Sequence, residues 1–120
     1  MPGAQKPEDL DRLFGDALNR GDLDAIMTLY ESGAAMPEQS GNVATGTAEL
    51  RQSIGQFVAM KPKITLTVDK VVHAGDLALT YSNWTMDAGG QQMQGKGVEV
   101  CRRQADGSWL FAIDDPFGRM

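Results

Sequence analysis

The chain has 120 residues, the size of one domain with one hydrophobic core, and its 42% hydrophobic and 22% charged residues exclude a disordered or fibrous chain. With 16 acidic against 11 basic residues its formal charge is −5, so its field repels phosphate backbones and nucleic acid is not expected as a partner. One cysteine, Cys101, and one histidine, His73, exclude a disulfide framework and a zinc cluster, and no apolar run nears membrane-spanning length; no membrane partner is expected, and the cytoplasm is the expected compartment.

Pro7 opens a helix over residues 8–20, in which Leu10, Leu13, Phe14, Ala17 and Leu18 recur at helical spacing and Glu8, Asp9 and Asp11 gather in the first turn. Gly21 reads as its left-handed cap and Asp22 as the N-cap of a second helix over 23–30, carrying Ile26, Met27, Leu29 and Tyr30. From 33 to 45 the chain is rich in Gly, Pro and small polar residues, which predicts two brief strands flanking a loop. Thr47 reads as the cap of a third helix to about residue 60, with Leu50, Ile54, Phe57 and Val58 on one side and Pro62 at its end. The period then becomes alternating: strands over 62–73, 77–87, 91–104 and 108–115 are separated by Gly75-Asp76, Gly89-Gly90 and Asp106-Gly107.

Three helices followed by an antiparallel meander predict an α+β domain, 1–120, with the helices covering one face of a curved sheet and a cavity between the layers. Order and polarity nominate Phe14, Leu18, Tyr30, Met36, Phe57, Met60, Trp84 and Met93 as its apolar lining, the alternative being that they fill a dry core. Leu77, Leu79, Val98 and Val100 place more apolar surface on the sheet than one core needs, which predicts a homodimer.

The stretch Phe14-Gly15-Asp16-Ala17-Leu18-Asn19-Arg20-Gly21-Asp22-Leu23-Asp24, followed by Thr28-Leu29-Tyr30, resembles the opening helix pair of the nuclear transport factor 2-like (NTF2-like) superfamily. Thr45-Gly46-Thr47-Ala48-Glu49-Leu50-Arg51 is similar to that superfamily's entry to the third helix, and Arg103-Gln104-Ala105-Asp106-Gly107-Ser108-Trp109 to its last hairpin. Within it the chain is most similar to the SnoaL-like group and to domains related to the calcium/calmodulin-dependent kinase association domain. The resemblance implies a cone-shaped barrel of three N-terminal helices on a strongly curved, mainly antiparallel sheet. That cone hosts isomerases, dehydratases, cyclases, transport adaptors and assembly domains, so it implies a fold and a range of functions.

Compared with the ketosteroid isomerases of that superfamily, the run Leu29-Tyr30-Glu31-Ser32-Gly33-Ala34-Ala35-Met36-Pro37-Glu38 puts Glu38 at the general base, and Val98-Glu99-Val100-Cys101-Arg102 puts Glu99 at the neutral acid that donates to the oxyanion. Their oxyanion tyrosine falls on Phe14, which has no donor, so steroid isomerisation is not expected.

On the residues alone, Glu38 is either a base or a solvated loop acid, and Glu99 faces either the cavity or water while its flanking valines point inward. Asp114 and Asp115 end the last strand and face opposite ways, so one of them enters the pocket or caps a turn. Trp84 and Tyr81 lie on the central hairpin, His73 reads as a turn-edge residue and Cys101 as a buried thiol. Asp22, Asp24, Glu38 and Asp114 show no metal-ligand spacing, so neither a metal nor an organic cofactor is expected. Two functions remain: a cofactor-independent isomerase, cyclase or dehydratase with catalytic Glu38, Glu99 and Asp114 acting on a small apolar or carbonyl-containing ligand, or a non-catalytic binding or assembly domain.

Overall fold

In the computed structural model, which describes residues 3–119, helix α1 is Pro7–Asn19. Pro7 takes the first helical position, where a missing N–H costs nothing, and the Asp9 carboxylate accepts the Lys6 N–H at 3.2 Å. At its other end Asn19 clamps α1 to the sheet, donating to the Ile64 carbonyl (3.0 Å) and accepting from the Ile64 N–H (2.7 Å). Asp22 caps α2, Leu23–Met27, by accepting the Ala25 N–H at 3.0 Å.

Helix α2 ends earlier than its apolar pattern predicts. The Leu29 carbonyl accepts from the Phe111 N–H at 2.8 Å, which draws Tyr30 out of the helix into a strand, β1, Tyr30–Pro37. That strand is longer than expected, and a short β2, Val43–Thr45, follows it. Helix α3, Thr47–Ala59, is capped by Gly46 rather than Thr47: Gly46 has φ 86°, a conformation open to glycine, and Thr47 is the first helical residue.

The meander is β3, Lys63–Ala74; β4, Leu77–Ala88; β5, Gln91–Arg103; and β6, Trp109–Asp115. Gly89 and Gly90 both have positive φ, 61° and 83°, which suits the two-residue turn that matches strand twist. The six strands run β2-β1-β6-β5-β4-β3 in one open sheet, antiparallel except for the parallel β1–β6 pair. The helices pack on one face, burying Leu10, Ile26, Leu50 and Phe111 almost completely.

Register shifts in three strand pairs bend this sheet and re-aim its side chains, one of them between Tyr30 and Ala35 of β1 against β6. In β3 the register slips between Val68 and Lys70; in β6 it slips opposite Val100 and Cys101, which pair with Ile113 and Phe111 and leave Ala112 as the extra residue. Side chains three apart on a regular strand face opposite sides, but the Ala112 bulge turns both Phe111 and Asp114 toward the helices.

Candidate functional site

Between α1, α3 and the sheet lies a cavity of about 90 Å³. Its walls are apolar: Phe14 and Leu18 come from α1, Phe57 from α3, Met36 from β1, Trp84 from β4 and Met93 from β5. The inward row of β5 makes the room. A Cβ on Gly95 would sit 2.6 Å from the Trp84 ring, and one on Gly97 would sit 2.8 Å from Ser82 Oγ and 2.9 Å from Glu99 Oε2. Trp84 donates its indole N–H to the Pro116 carbonyl at 2.8 Å and meets Phe117 edge-on, ring centres 5.2 Å apart, so the chain after β6 bounds the cavity beside the indole.

Three carboxyl groups line this apolar space: Asp11 from α1, Glu99 from β5 and Asp114 from β6. Glu99 and Asp114 are direct cross-strand partners. Each oxygen of Glu99 accepts a hydroxyl hydrogen bond, Oε1 from Thr80 at 2.6 Å and Oε2 from Ser82 at 2.7 Å. Asp114 Oδ2 accepts from the Tyr30 hydroxyl at 2.6 Å, and the Tyr30 ring is held 5.1 Å from that of Phe111. Asp11 is 5% exposed, its carboxyl is in hydrogen-bonding reach of Glu99, and its Oδ2 has no partner.

Burial dominates the electrostatics. Desolvation, then the charge of Glu99 and the hydrogen bond to it, push Asp11 up to about 10, so at neutral pH it is a carboxylic acid whose proton reaches toward Glu99. Desolvation and the Glu99 charge push Asp114 up to about 7, the Tyr30 hydrogen bond holding it down in part. The Asp114 residue is part-exposed at the strand end, but its carboxyl is enclosed, and the enclosure of the carboxyl governs its proton. Tyr30 and Cys101 are both raised, chiefly by burial, and stay protonated. The site therefore holds a neutral acid, a carboxyl group that accepts two hydroxyl hydrogen bonds and a group that changes charge near neutrality.

Such a cluster costs stability in a defined direction. Asp114 and Asp11 have folded-state values of about 7 and about 10, above the ordinary 3.8, so between those limits the folded chain binds more protons than the unfolded one. Their contribution is full below about pH 4; it is lost for Asp114 as pH rises through about 7, and for Asp11 through about 10. Asp11→Asn, which cannot ionise, is expected to melt above the parent, with a gap at pH 9 exceeding that at pH 5 by about 3 °C or more in calorimetry. A gap that shrinks as pH rises would mean that Asp11 is not held neutral.

Of the expected lining residues, Phe14, Leu18, Met36, Phe57, Trp84 and Met93 face the cavity. Met60 does not: it caps the C-terminus of α3 and is 45% exposed. Tyr30 is buried beside the cavity rather than in its wall and acts on it through Asp114. Glu38 is separate from Glu99; it lies in the turn after β1, with its N–H bonded to the Asn42 carbonyl at 2.8 Å, and borders a surface groove with Glu49, Gln52 and Gln56. The comparison that put the base there fails locally because β1 ends at Pro37 and turns away. Asp115 pairs with Val98 on the opposite face, Tyr81 lies under Lys70 and Arg119, and His73 is an exposed residue set edge-on to Trp109.

Asp11 is the residue that sequence reasoning missed. In a first helical turn an acid ordinarily serves the helix dipole. The available signal was its spacing: residues 11, 14 and 18 share one helical face with Phe14 and Leu18, so the acid lies within the apolar stripe.

The sequence model of the SnoaL-like domain matches residues 10–111. No curated protein matches the chain. Among solved structures, a candidate calcium/calmodulin-dependent protein kinase type II association domain from Thiobacillus denitrificans superposes with a TM-score of 0.80 at 16% identity, covering 98% of this chain and 99% of its own. A ketosteroid isomerase-like protein from Erwinia carotovora atroseptica gives 0.72 at 22%, covering 90% and 89%. A candidate dehydratase of the NTF2-like family from Streptomyces avermitilis gives 0.73 at 20%, covering 88% of each chain. At these identities the likeness establishes the cone-shaped fold.

Proposed function

The chain belongs to the SnoaL-like domain family, and from that premise we propose that it is a small-molecule enzyme of the isomerase, cyclase or dehydratase type, working by carboxylate acid–base chemistry without metal or organic cofactor. The observation that supports this is the meeting of three carboxyl groups at one end of an apolar cavity, where burial holds Asp11 and Asp114 above their ordinary values to unequal degrees. Asp114, near its own midpoint at neutral pH and oriented by Tyr30, is the base. Asp11, held neutral by burial beside Glu99, is the acid. Asp11 thus stands one helical turn before Phe14, where the isomerase comparison lacked a donor. The substrate is a short carbonyl or hydroxy-carbonyl compound, since about 90 Å³ is less than the about 150 Å³ of a cavity that takes one benzene ring.

The test is exchange. Small carbonyl and β-hydroxy carbonyl compounds incubated with the protein in heavy water should gain deuterium beside the carbonyl or lose water, as read by proton NMR. Compounds that bind but neither exchange nor react would favour the second reading, a ligand-binding domain, for which the small cavity is the supporting observation.

The same reading is of a cytoplasmic homodimer. On the outer sheet face Val72, Leu79, Val100 and Ile113 pair in register across four strands, with Val72 45% and Ile113 43% exposed and Leu77 beside them. A second copy covering this row explains why it is apolar. Light scattering at micromolar concentration should give twice the 13.0 kDa of one chain, and Val100→Lys should halve it. A parent that scatters as a monomer would remove the dimer.

A further inference from the structure

We infer that the cavity's occupant presents a hydrogen-bond donor without negative charge, an alcohol or an alkylammonium, to the free oxygens of Asp11 and Asp114. The inference rests on reading the cavity as a ligand site, and among the carbonyl compounds proposed above it selects those that also carry a hydroxyl or amino head. It follows from counting donors and acceptors. Apart from the carboxyl groups, only Ser82 and Trp84 among the described lining residues carry a side-chain donor, and both are spent, on Glu99 and on the Pro116 carbonyl. The neighbouring hydroxyls of Thr80 and Tyr30 are spent as well, on Glu99 and Asp114. The proton of Asp11 is turned to Glu99.

What remains to a ligand is acceptors. No protein donor reaches the buried Oδ2 of Asp11, so a carboxyl that gives its proton to Glu99 still has an oxygen without a partner. Tyr30 occupies only Oδ2 of Asp114 and leaves Oδ1 open. An O–H or N–H head satisfies these oxygens as they stand. Once Asp114 is ionised, a ketone finds a donor only if Asp11 turns its proton away from Glu99. A carboxylate is excluded twice, by lacking a donor and by like charge, since no Lys, Arg or His lies among the described lining residues.

Four probes of similar shape test this: isopropanol, isopropylamine, acetone and acetate, each small enough for the cavity, titrated at about pH 8.5, where Asp114 is ionised, and followed by amide NMR shifts of the cavity residues. The alcohol or the amine should bind about 10-fold or more tightly than the ketone, the usual worth of a hydrogen bond to a charged or buried acceptor, and acetate should not bind. Which of the two binds more tightly identifies the head as hydroxyl or ammonium. Asp11→Leu, which keeps the apolar stripe of α1, should narrow the donor-to-ketone gap to less than about threefold. A ketone that binds as tightly as both donors, an acetate that binds, or a gap unchanged in Asp11→Leu overturns the inference and leaves the cavity as a ligand site. Failure of all four to bind overturns the inference and the proposed function together.

Discussion

Asp114→Asn is expected to lower turnover about 1000-fold while leaving the protein folded, because it removes the base and keeps an oxygen to accept from Tyr30. The pH dependence of the parent gives the same residue a second signature. A base must be ionised, so kcat/KM should rise with pH through about 7, and the acid of the Asp11–Glu99 pair must keep its proton, so it should fall as pH passes about 10. These values belong to the coupled cluster, and removing Asp114 should erase the acidic limb rather than displace it. Steady-state rates across pH for parent and variant read both effects. A variant with a tenth or more of the parent rate would show that another group takes the proton.

Phe111→Ala is expected to cost about 3–5 kcal/mol, a large share of the roughly 5–15 kcal/mol that holds such a domain together. Phe111 is 1% exposed, lines the inner end of the cavity and supports the ring of Tyr30. Removing it leaves a void next to the one side chain that orients Asp114, so stability and the Tyr30–Asp114 hydrogen bond are lost together. The melting temperature should fall by about 10 °C or more, and Phe111→Leu, which nearly conserves volume, should recover most of that fall. A drop of less than about 3 °C in the alanine variant would mean that Phe111 does not carry the core between sheet and cavity.

The fold was legible because its punctuation is local. Gly75-Asp76, Gly89-Gly90 and Asp106-Gly107 break an alternating pattern, and the strands they separate fall within a residue of the observed β3 to β6. Pro7, Asp22 and Pro62 mark helix ends by the same kind of local chemistry. Where a long-range partner decides, the local pattern is insufficient. Tyr30 continues the helical spacing of Ile26 and Leu29, yet the sheet takes it, because β6 offers the Leu29 carbonyl a backbone donor that no nearby residue supplies.

Much of the site rests on such non-local decisions. The apolar lining could be nominated from polarity and order, and Glu99 and Asp114 were candidates, but whether either faced inward depended on register. For Asp114 the deciding feature is the extra residue Ala112 in β6, which no turn or glycine announces. Glu38 was nominated from a comparison in sequence order, and its place is set by where β1 ends. Asp11 went unnoticed because an acid at a helix start has an ordinary explanation, and only the packing of α1 on the sheet shows that this one faces the cavity.

The central claim is that burial keeps one cavity acid neutral and sets another near its midpoint, and carboxyl-carbon NMR of aspartate-labelled protein measures this without a substrate. Two aspartate signals are predicted to titrate far above the rest, at about 7 and about 10, the first absent from Asp114→Asn and the second from Asp11→Asn. If every aspartate titrates near the ordinary value of about 4, Asp11 and Asp114 are solvated and the cavity is not the acid–base site described.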